Sequence, residues 1–269
     1  MPTVEELYGE LWAEDDALAA GLDRSLDPRP AESLYDAFAG LGVRESDVVL
    51  DVGCRDAIHS VELVRRFGCE VVACDLIPHH LEKAHERISK EGLEGQIRIV
   101  EAPIESLPLD CEAVDHIWCR DMLNHVRLPE ALAECARVLR RAGRMLVYQT
   151  FATELLEPRE AERLFSAVAI VPANMSRSYF ETTASDAGFA IASVDEIASE
   201  WREHWLETGD QKTVDHLLRA ARLRRREAEI VERYGRESYE AALGGSIWGV
   251  YQLLGKLCPT VYVLARRDG

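Results

Sequence analysis

Residues 48–54, with the sequence VVLDVGC, constrain the fold of this chain more than any other segment. An apolar run that ends in an acid and a glycine, before a helix beginning near Ile58, is typical of a buried parallel strand, a tight turn and a helix. A glycine at position 53 lets a ligand approach the backbone closely. The helix start offers free N–H groups to the same ligand. The segment therefore predicts a ligand site at the end of the first strand.

A second apolar strand, residues 70–74, ends in Asp75, which follows Asp51 by 24 residues. Nucleotide-binding βαβ units place an acid at about this spacing to hold the ribose. The dinucleotide fingerprint needs further glycines, but Arg55 and Ala57 stand where they would fall. The pattern therefore favours a nucleoside ligand without phosphates. An NAD-linked reductase stays open as a lesser alternative, because a strand, a glycine, a helix and an acid suit both ligands.

Several segments, in this order, resemble the motifs of class I S-adenosylmethionine-dependent methyltransferases. They are residues 51–57 (DVGCRDA), Asp75, residues 102–108 (APIESLP), 114–126 (VDHIWCRDMLNHV) and 139–147 (LRRAGRMLV). The resemblance covers about residues 45–195. Its last part is a separate segment at 259–267. It implies S-adenosylmethionine as the cofactor and methyl transfer to an oxygen, nitrogen or carbon of a small molecule. The chain departs from the pattern at the second and third glycines and at Pro103, where the family has an acid. A protein that binds the cofactor without methylating therefore stays open as the alternative.

The resemblance implies a set of cofactor contacts. Asp75 is expected to hold the ribose hydroxyls, and Arg120 is expected to lie at the methionine end. Arg55 either reaches the cofactor carboxylate or pairs with a neighbouring acid. The full set is Asp51, Gly53, Cys54, Arg55, Asp75, Leu76, Ile104, Glu105 and Arg120.

Fewer residues suggest themselves for the acceptor. His125 follows the fourth strand and is either a general base for the acceptor or a structural histidine. Tyr148 and Gln149 leave the fifth strand and are expected to orient the acceptor, and Trp201 and Trp205 either line its pocket or form lid core. The scattered histidines do not form a metal-ligand pattern, so we expect no metal site.

The alternation of strands and helices predicts an α/β fold, a doubly wound and mostly parallel seven-stranded sheet of the Rossmann-like methyltransferase type. A helical cap is expected over 1–46, from helices at 3–22 and 30–40, before the domain at 47–269. A helical lid is expected at 197–257, with helices at 212–234 and 236–254, above the carboxyl ends of the strands. Predicted strands lie near 48–52, 70–74, 97–101, 113–119, 144–151, 189–195 and 260–265, the last antiparallel at the sheet edge, and predicted helices near 58–67, 78–91, 129–141 and 176–187.

Composition limits the remaining choices. Hydrophobic residues make up 47% of the chain, and no apolar run approaches the ~18 residues of a membrane span. The net charge of −17 opposes binding to nucleic acid. The acidic N-terminus is unlike a signal peptide, and the seven scattered cysteines suit reduced thiols. We therefore expect a cytoplasmic enzyme with a small-molecule partner and no nucleic-acid or membrane partner.

Overall fold

The computed structural model describes residues 1–6, 8–9 and 18–267, and a seven-stranded sheet lies at its centre. The strands are β1 (Val48–Val52), β2 (Glu70–Asp75), β3 (Ile97–Glu101), β4 (Val114–Arg120), β5 (Leu139–Ala152), β6 (Phe189–Glu196) and β7 (Leu257–Arg266). Their order across the sheet is β3-β2-β1-β4-β5-β7-β6. The first five strands pair in parallel, and β7 runs antiparallel to β5 and β6. The predicted fold class is confirmed.

The position of the last strand differs from its prediction. β7 is antiparallel, as expected, but it lies between β5 and β6, so its placement at the sheet edge is wrong. Leu257, Val261 and Leu264 of β7 are buried, as expected for a strand that has a neighbouring strand on each side. The edge strand on that side of the sheet is β6 instead. All of its residues beyond Phe189 are partly or fully exposed, which suits an edge.

Helices connect the strands and cover both faces of the sheet. They are α1 (Ser33–Ala39), α2 (Ile58–Phe67), α3 (Pro78–Glu91), α4 (Leu128–Val138), α5 (Pro158–Ala167), α6 (Arg177–Asp186), α7 (Glu200–Glu207), α8 (Lys212–Arg225), α9 (Glu227–Tyr234) and α10 (Arg236–Leu253). α2 and α3 have the predicted bounds. α4 ends three residues early, because the chain enters β5 at Leu139 and bulges beside Val114.

Helix α5 was not predicted. Its sequence carries a start signal nonetheless, since Pro158 occupies its first turn and Glu157 and Glu160 form a reciprocal capping box. The predicted helix at 3–22 lies partly outside the described residues. Val4–Glu6 and residues 18–22 are helical, whereas residues 7 and 10–17 are not described.

Two apolar layers enclose the central strands. Alternate residues of each strand point to opposite faces, so Leu50 and Ile117 face α4 and α6 while Val49 and Trp118 face α1 and α2. The buried carboxylates Asp51 and Asp75 belong to the ends of β1 and β2. The layers therefore hold the carboxyl ends of the parallel strands in fixed positions, where open α/β sheets bind ligands.

Between β6 and β7 the chain forms four helices, α7 to α10, instead of the two predicted after the tryptophan-rich segment. The predicted helix at 212–234 is interrupted at Arg226, whose backbone leaves the helical region at φ −116° and ψ 27°. α10 packs against α5 through an apolar cluster that includes Leu164, Tyr239 and Leu243. That these helices act as a lid stays a prediction.

The turn after β1 has an unusual backbone. Gly53 adopts the left-handed conformation at φ +73°, and so do Arg55 at +53° and Ala57 at +56°. The N–H groups of Gly53 and Cys54 both donate to the carbonyl of Cys74, at 2.8 and 2.9 Å. Positions 55 and 57 are those at which the methyltransferase motif that residues 51–57 resemble has glycines. The chain therefore keeps the turn that glycines favour, at a conformational cost of about 1 kcal/mol for each replaced glycine.

This strain predicts a stabilising substitution. Because the Arg55 side chain is exposed, Arg55→Gly removes the left-handed penalty and little packing, and we expect the free energy of unfolding to rise by about 0.5–1 kcal/mol. Arg98→Gly, at an exposed strand position, should instead destabilise the protein. Urea denaturation monitored by circular dichroism measures both changes. A loss of stability in Arg55→Gly comparable to that in Arg98→Gly would contradict the strain argument.

Candidate active site

Asp75 connects the turns that follow β1 and β2. Its carboxylate is buried and accepts the N–H of Arg55 on Oδ2 and the N–H of Ile77 on Oδ1, each at 2.9 Å. His80 Nδ1 lies 3.3 Å from Oδ1. Oδ2 keeps a second lone pair for a ligand hydroxyl, whereas Oδ1 can accept a hydroxyl only in place of His80. The acid is thus fixed in orientation and remains able to bind a diol.

Apolar side chains lie beside this acid. Leu76 and Ile77 are 54% and 46% exposed, and their apolar surface suits a flat ligand ring. Ile104, from the loop after β3, is buried. The Glu105 carboxylate accepts the N–H of Arg127 at 3.1 Å and so holds the start of α4. The structure therefore places the predicted adenine-side residues around the end of β2, with Glu105 occupied by a backbone contact.

Asp51 at the end of β1 is 2% exposed, and the hydroxyl of Ser60 donates to its Oδ2 at 2.6 Å. Burial raises the pKa of the carboxyl group to about 7, and the charge of Asp75 adds to the effect. Burial also raises the pKa of the neighbouring Cys54 thiol, which therefore stays protonated. Asp51 is poised to gain or lose its proton near neutral pH.

Arg120 ends β4, and its side chain takes part in a contact that the sequence did not predict. Its Nη1 donates to Nε2 of His59 at 2.9 Å, and Nδ1 of His59 lies 2.6 Å from the hydroxyl of Tyr35. The guanidinium can only donate, so His59 Nε2 accepts and Nδ1 carries the proton. Burial, together with the charge of Arg120, lowers the pKa of His59 to about 3. The histidine is therefore neutral.

Tyr148, Trp201 and Arg120 come together above the ends of β4 and β5. The rings of Tyr148 and Trp201 stack at 4.7 Å with an angle of 2° between their planes. The Arg120 guanidinium lies 5.7 and 5.5 Å from their centroids. Trp205 lies beside two other cations, Arg202 at 4.8 Å and Lys212 at 5.0 Å. The tryptophans predicted for the acceptor pocket thus lie beside cationic groups.

Gln149 faces the opposite side of β5 from Tyr148. It is fully buried, and its Nε2 donates to the carbonyl of Asn174 at 3.2 Å. Its Oε1 has no protein partner among the described residues. A role for Gln149 in acceptor binding stays a prediction.

His125 is exposed, and its Nδ1 lies 3.0 Å from the carbonyl oxygen of Ala169. Because a carbonyl oxygen only accepts, the neutral ring carries its proton on Nδ1 and presents a free lone pair on Nε2. That tautomer is the one a general base needs. A catalytic role for His125 stays a prediction.

Sequence reasoning missed Asp121, the residue after β4. It has a left-handed backbone at φ +52°, and its N–H donates to the carbonyl of Tyr148 at 2.8 Å. The hydroxyl of Thr150 donates to its Oδ1 at 2.9 Å, and burial raises the pKa of the carboxyl group. A polar residue directly after a parallel strand was the signal used for Asp75 and could have identified Asp121 as well.

The described residues 1–6, 8–9 and 18–267 contain no group of three or more histidine, cysteine, aspartate or glutamate residues that could hold a metal ion. Within the same ranges, each helix is too short or too polar to span a membrane.

Comparisons with known proteins relate the chain to methyltransferases. A family model described as a methyltransferase domain matches residues 50–147. Methyltransferase GfsG of Streptomyces halstedii is 32% identical over 130 residues, which are 46% of this chain and 46% of that protein. The chain thus matches about half the length of this curated relative.

Two solved structures share the fold over most of the chain. A putative sarcosine dimethylglycine methyltransferase from Galdieria sulphuraria superposes with a TM-score of 0.67 at 18% identity, covering 88% of this chain and 85% of that one. Geranyl diphosphate C-methyltransferase from Streptomyces coelicolor, solved with S-adenosyl-L-homocysteine, gives a TM-score of 0.65 at 14% identity, covering 88% and 77%. The chain therefore matches a methyltransferase domain over residues 50–147 and shares the fold of these two structures.

Proposed function

We propose that this protein transfers the methyl group of S-adenosylmethionine to a small-molecule acceptor. The observation that carries the proposal is the hydrogen bond from the Arg55 N–H to the Asp75 carboxylate, at 2.9 Å. It lies in a turn where Arg55 and Ala57 have the left-handed conformation that glycines favour. The loss of two glycines was the reason to consider a protein that binds the cofactor without methylating. Because the turn is preserved, that reason loses its force.

When bound, the cofactor supplies a sulfonium methyl that needs little activation, so the protein mainly aligns the acceptor and excludes water. We assign the ribose to Asp75 and the adenine to the apolar surface of Leu76 and Ile104. We assign the amino-acid end to Asp51 and the backbone at Arg120. Gly53 has φ +73°, and a Cβ there would lie 2.6 Å from Cγ of Met122, so a larger residue at this position would be strained.

The acceptor side is proposed to use Tyr148, Trp201 and Trp205, with His125 receiving a proton where the acceptor must lose one. Relatives support a small acceptor by their names, which include a ubiquinone biosynthesis O-methyltransferase from Xylella fastidiosa. The acidic net charge of −17 disfavours nucleic acid as the substrate. The cysteines of the described residues are unpaired, which supports a cytoplasmic location.

Removing the ribose acceptor should weaken cofactor binding. We expect Asp75→Ala to reduce affinity for S-adenosylhomocysteine at least about tenfold, or ~1.4 kcal/mol, because two charge-assisted hydrogen bonds are lost. Isothermal titration calorimetry measures the change. Glu101→Ala, at the exposed end of neighbouring β3, is the matched control and should bind normally. Unchanged affinity in a folded Asp75→Ala protein would remove Asp75 from the site.

Binding at Asp51 should release a proton. With a pKa of about 7, this carboxyl group is partly protonated at pH 7, and a nearby ligand ammonium favours its charged form. The ligand therefore lowers the pKa, and affinity rises with pH between about 6 and 8. Calorimetry with S-adenosylhomocysteine in phosphate and in Tris should reveal a release of up to about half a proton at pH 7.

The matched variants decide the origin of that proton. Asp51→Asn should abolish the release, whereas Asp110→Asn, at an exposed loop position, should retain it. A binding enthalpy that is independent of the buffer in the unmodified protein would place the ammonium away from Asp51.

The third expectation concerns His125. With an acceptor that must lose a proton, His125→Gln should lower kcat at least about tenfold and leave S-adenosylhomocysteine affinity unchanged, because only proton transfer is affected. His79→Gln, on the exposed surface of α3, is the control. Transfer of a labelled methyl group, followed over pH, measures both. Full turnover by His125→Gln would leave the histidine with a structural role.

A further inference from the structure

A cavity of about 420 Å³ lies between α1, α2 and the inserted helices α7 and α8. Its volume falls in the range of small-molecule sites. Tyr35 and Trp205 contribute aromatic walls, and Arg120 and His59 reach it from the ends of β4 and α2. Of the residues predicted to contact the cofactor, Arg120 alone lines the cavity, and the ribose acid Asp75 does not.

The cavity concentrates positive charge in a protein of net charge −17. Its lining holds five arginine or lysine residues and three glutamates. Four of the cations are neutralised, since Arg65 pairs with Glu91, Arg66 with Glu62, Arg87 with Asp56 and Lys212 with Asp210. Glu32, the third glutamate, is exposed to solvent.

Arg120 is the fifth cation of the cavity lining and takes part in none of these ion pairs. Within the described part of the chain no carboxylate lies within ion-pair distance of its guanidinium, and its hydrogen bond goes to the neutral ring of His59. A partly buried guanidinium without an acid is costly unless a ligand supplies the charge. The guanidinium carbon lies 5.7 and 5.5 Å from the centroids of the stacked Tyr148 and Trp201 rings.

A second guanidinium strengthens the local field. Arg202 donates from Nε to Gln252 Oε1 at 2.8 Å and lies over Trp205, with no ion pair among the described residues. Burial lowers its pKa, and repulsion from Arg120 contributes to the shift. Asp121 lies close enough to interact with both arginines but supplies only one negative charge. The cluster therefore retains a net positive charge.

We propose that this cavity binds the methyl acceptor and that the acceptor carries an oxyanion, a carboxylate or a phosphate, which Arg120 receives as a planar, bidentate donor. The rest of the acceptor lies between Tyr35 and Trp205. A guanidinium suits this role because its fork matches the geometry of both oxyanions. The inference rests on the proposed methyl transfer and adds to it the chemical class of the substrate.

The test uses small aromatic probes on the protein loaded with S-adenosylhomocysteine. Benzoate and phenyl phosphate carry the oxyanion, and benzamide is the neutral isostere of benzoate. We expect at least one of the two anions to bind at least about tenfold more tightly than benzamide, detected by calorimetry and by a change in tryptophan fluorescence. The better anion then identifies the oxyanion. Equal binding of all three probes would overturn the proposal.

Variants of Arg120 locate the charge. Arg120→Gln should abolish the preference for the anion, and Arg120→Lys should restore part of it, which a merely misfolded site would not do. Arg219→Gln, at an exposed position of α8, should keep the full preference. An undiminished preference in Arg120→Gln would overturn the assignment.

The cofactor's own carboxylate is the other oxyanion that Arg120 could receive. In that case Arg120→Gln would weaken S-adenosylhomocysteine but not 5′-methylthioadenosine, which lacks the carboxylate, and would leave the probe preference intact. That result overturns the acceptor site and retains methyl transfer. Failure of S-adenosylhomocysteine to bind the unmodified protein would instead refute the proposed function, and the probe preference can still be measured on the unloaded protein.

Discussion

The hydrogen bond from the Arg55 N–H to the Asp75 carboxylate is the contact on which the site depends. It joins the turn after β1 to the end of β2, so two segments 20 residues apart share one buried anion. The Ile77 N–H binds the other oxygen, which leaves the carboxylate little freedom to rotate. A group held in this way loses little entropy when a ligand arrives. The glycines missing from the turn matter less than its preserved shape.

Buried charge explains the rest of the arrangement. Asp51, Asp121, Arg120 and Arg202 lie around the carboxyl ends of the central strands, in surroundings that raise the pKa values of the acids and lower that of Arg202. Such groups are costly in a folded protein and are typical of functional sites. They are compatible with a ligand that itself carries both signs of charge, as an amino acid does.

The sequence predicted the parts of the fold that depend on local pattern. The apolar runs of β1 to β4 and the periodicity of α2 and α3 determine those elements almost to the residue. The position of β7 could not be predicted in this way, because an antiparallel strand can pair between β5 and β6 or beyond β6, and only packing decides. The contact of Arg120 with His59 was equally inaccessible, since it needs α1 and α2 to meet the sheet.

The candidate site also divides into residues predicted from local sequence pattern and residues brought together by packing. Asp51, Gly53 and Asp75 could be proposed as site residues from the sequence because their spacing along one βαβ unit is fixed by the fold. Tyr148 and Trp201 are 53 residues apart, and their stacking depends on how α7 returns to the sheet. Asp121 could have been found by the rule that identified Asp75. The capping box of Glu157 and Glu160 could have identified the start of α5, whereas the helix break at Arg226 has no side-chain cap.

The strand order gives the inserted helices a particular freedom. β6 and β7 are antiparallel neighbours, with Glu196 opposite Thr260, so α7 to α10 form the connection of one long hairpin. Both ends of that connection are fixed side by side in the sheet, whatever its length. Lengthening such a loop costs only about 0.6 kcal/mol for each doubling. The inserted helices can therefore be exchanged or enlarged as a unit without disturbing the strands of the sheet.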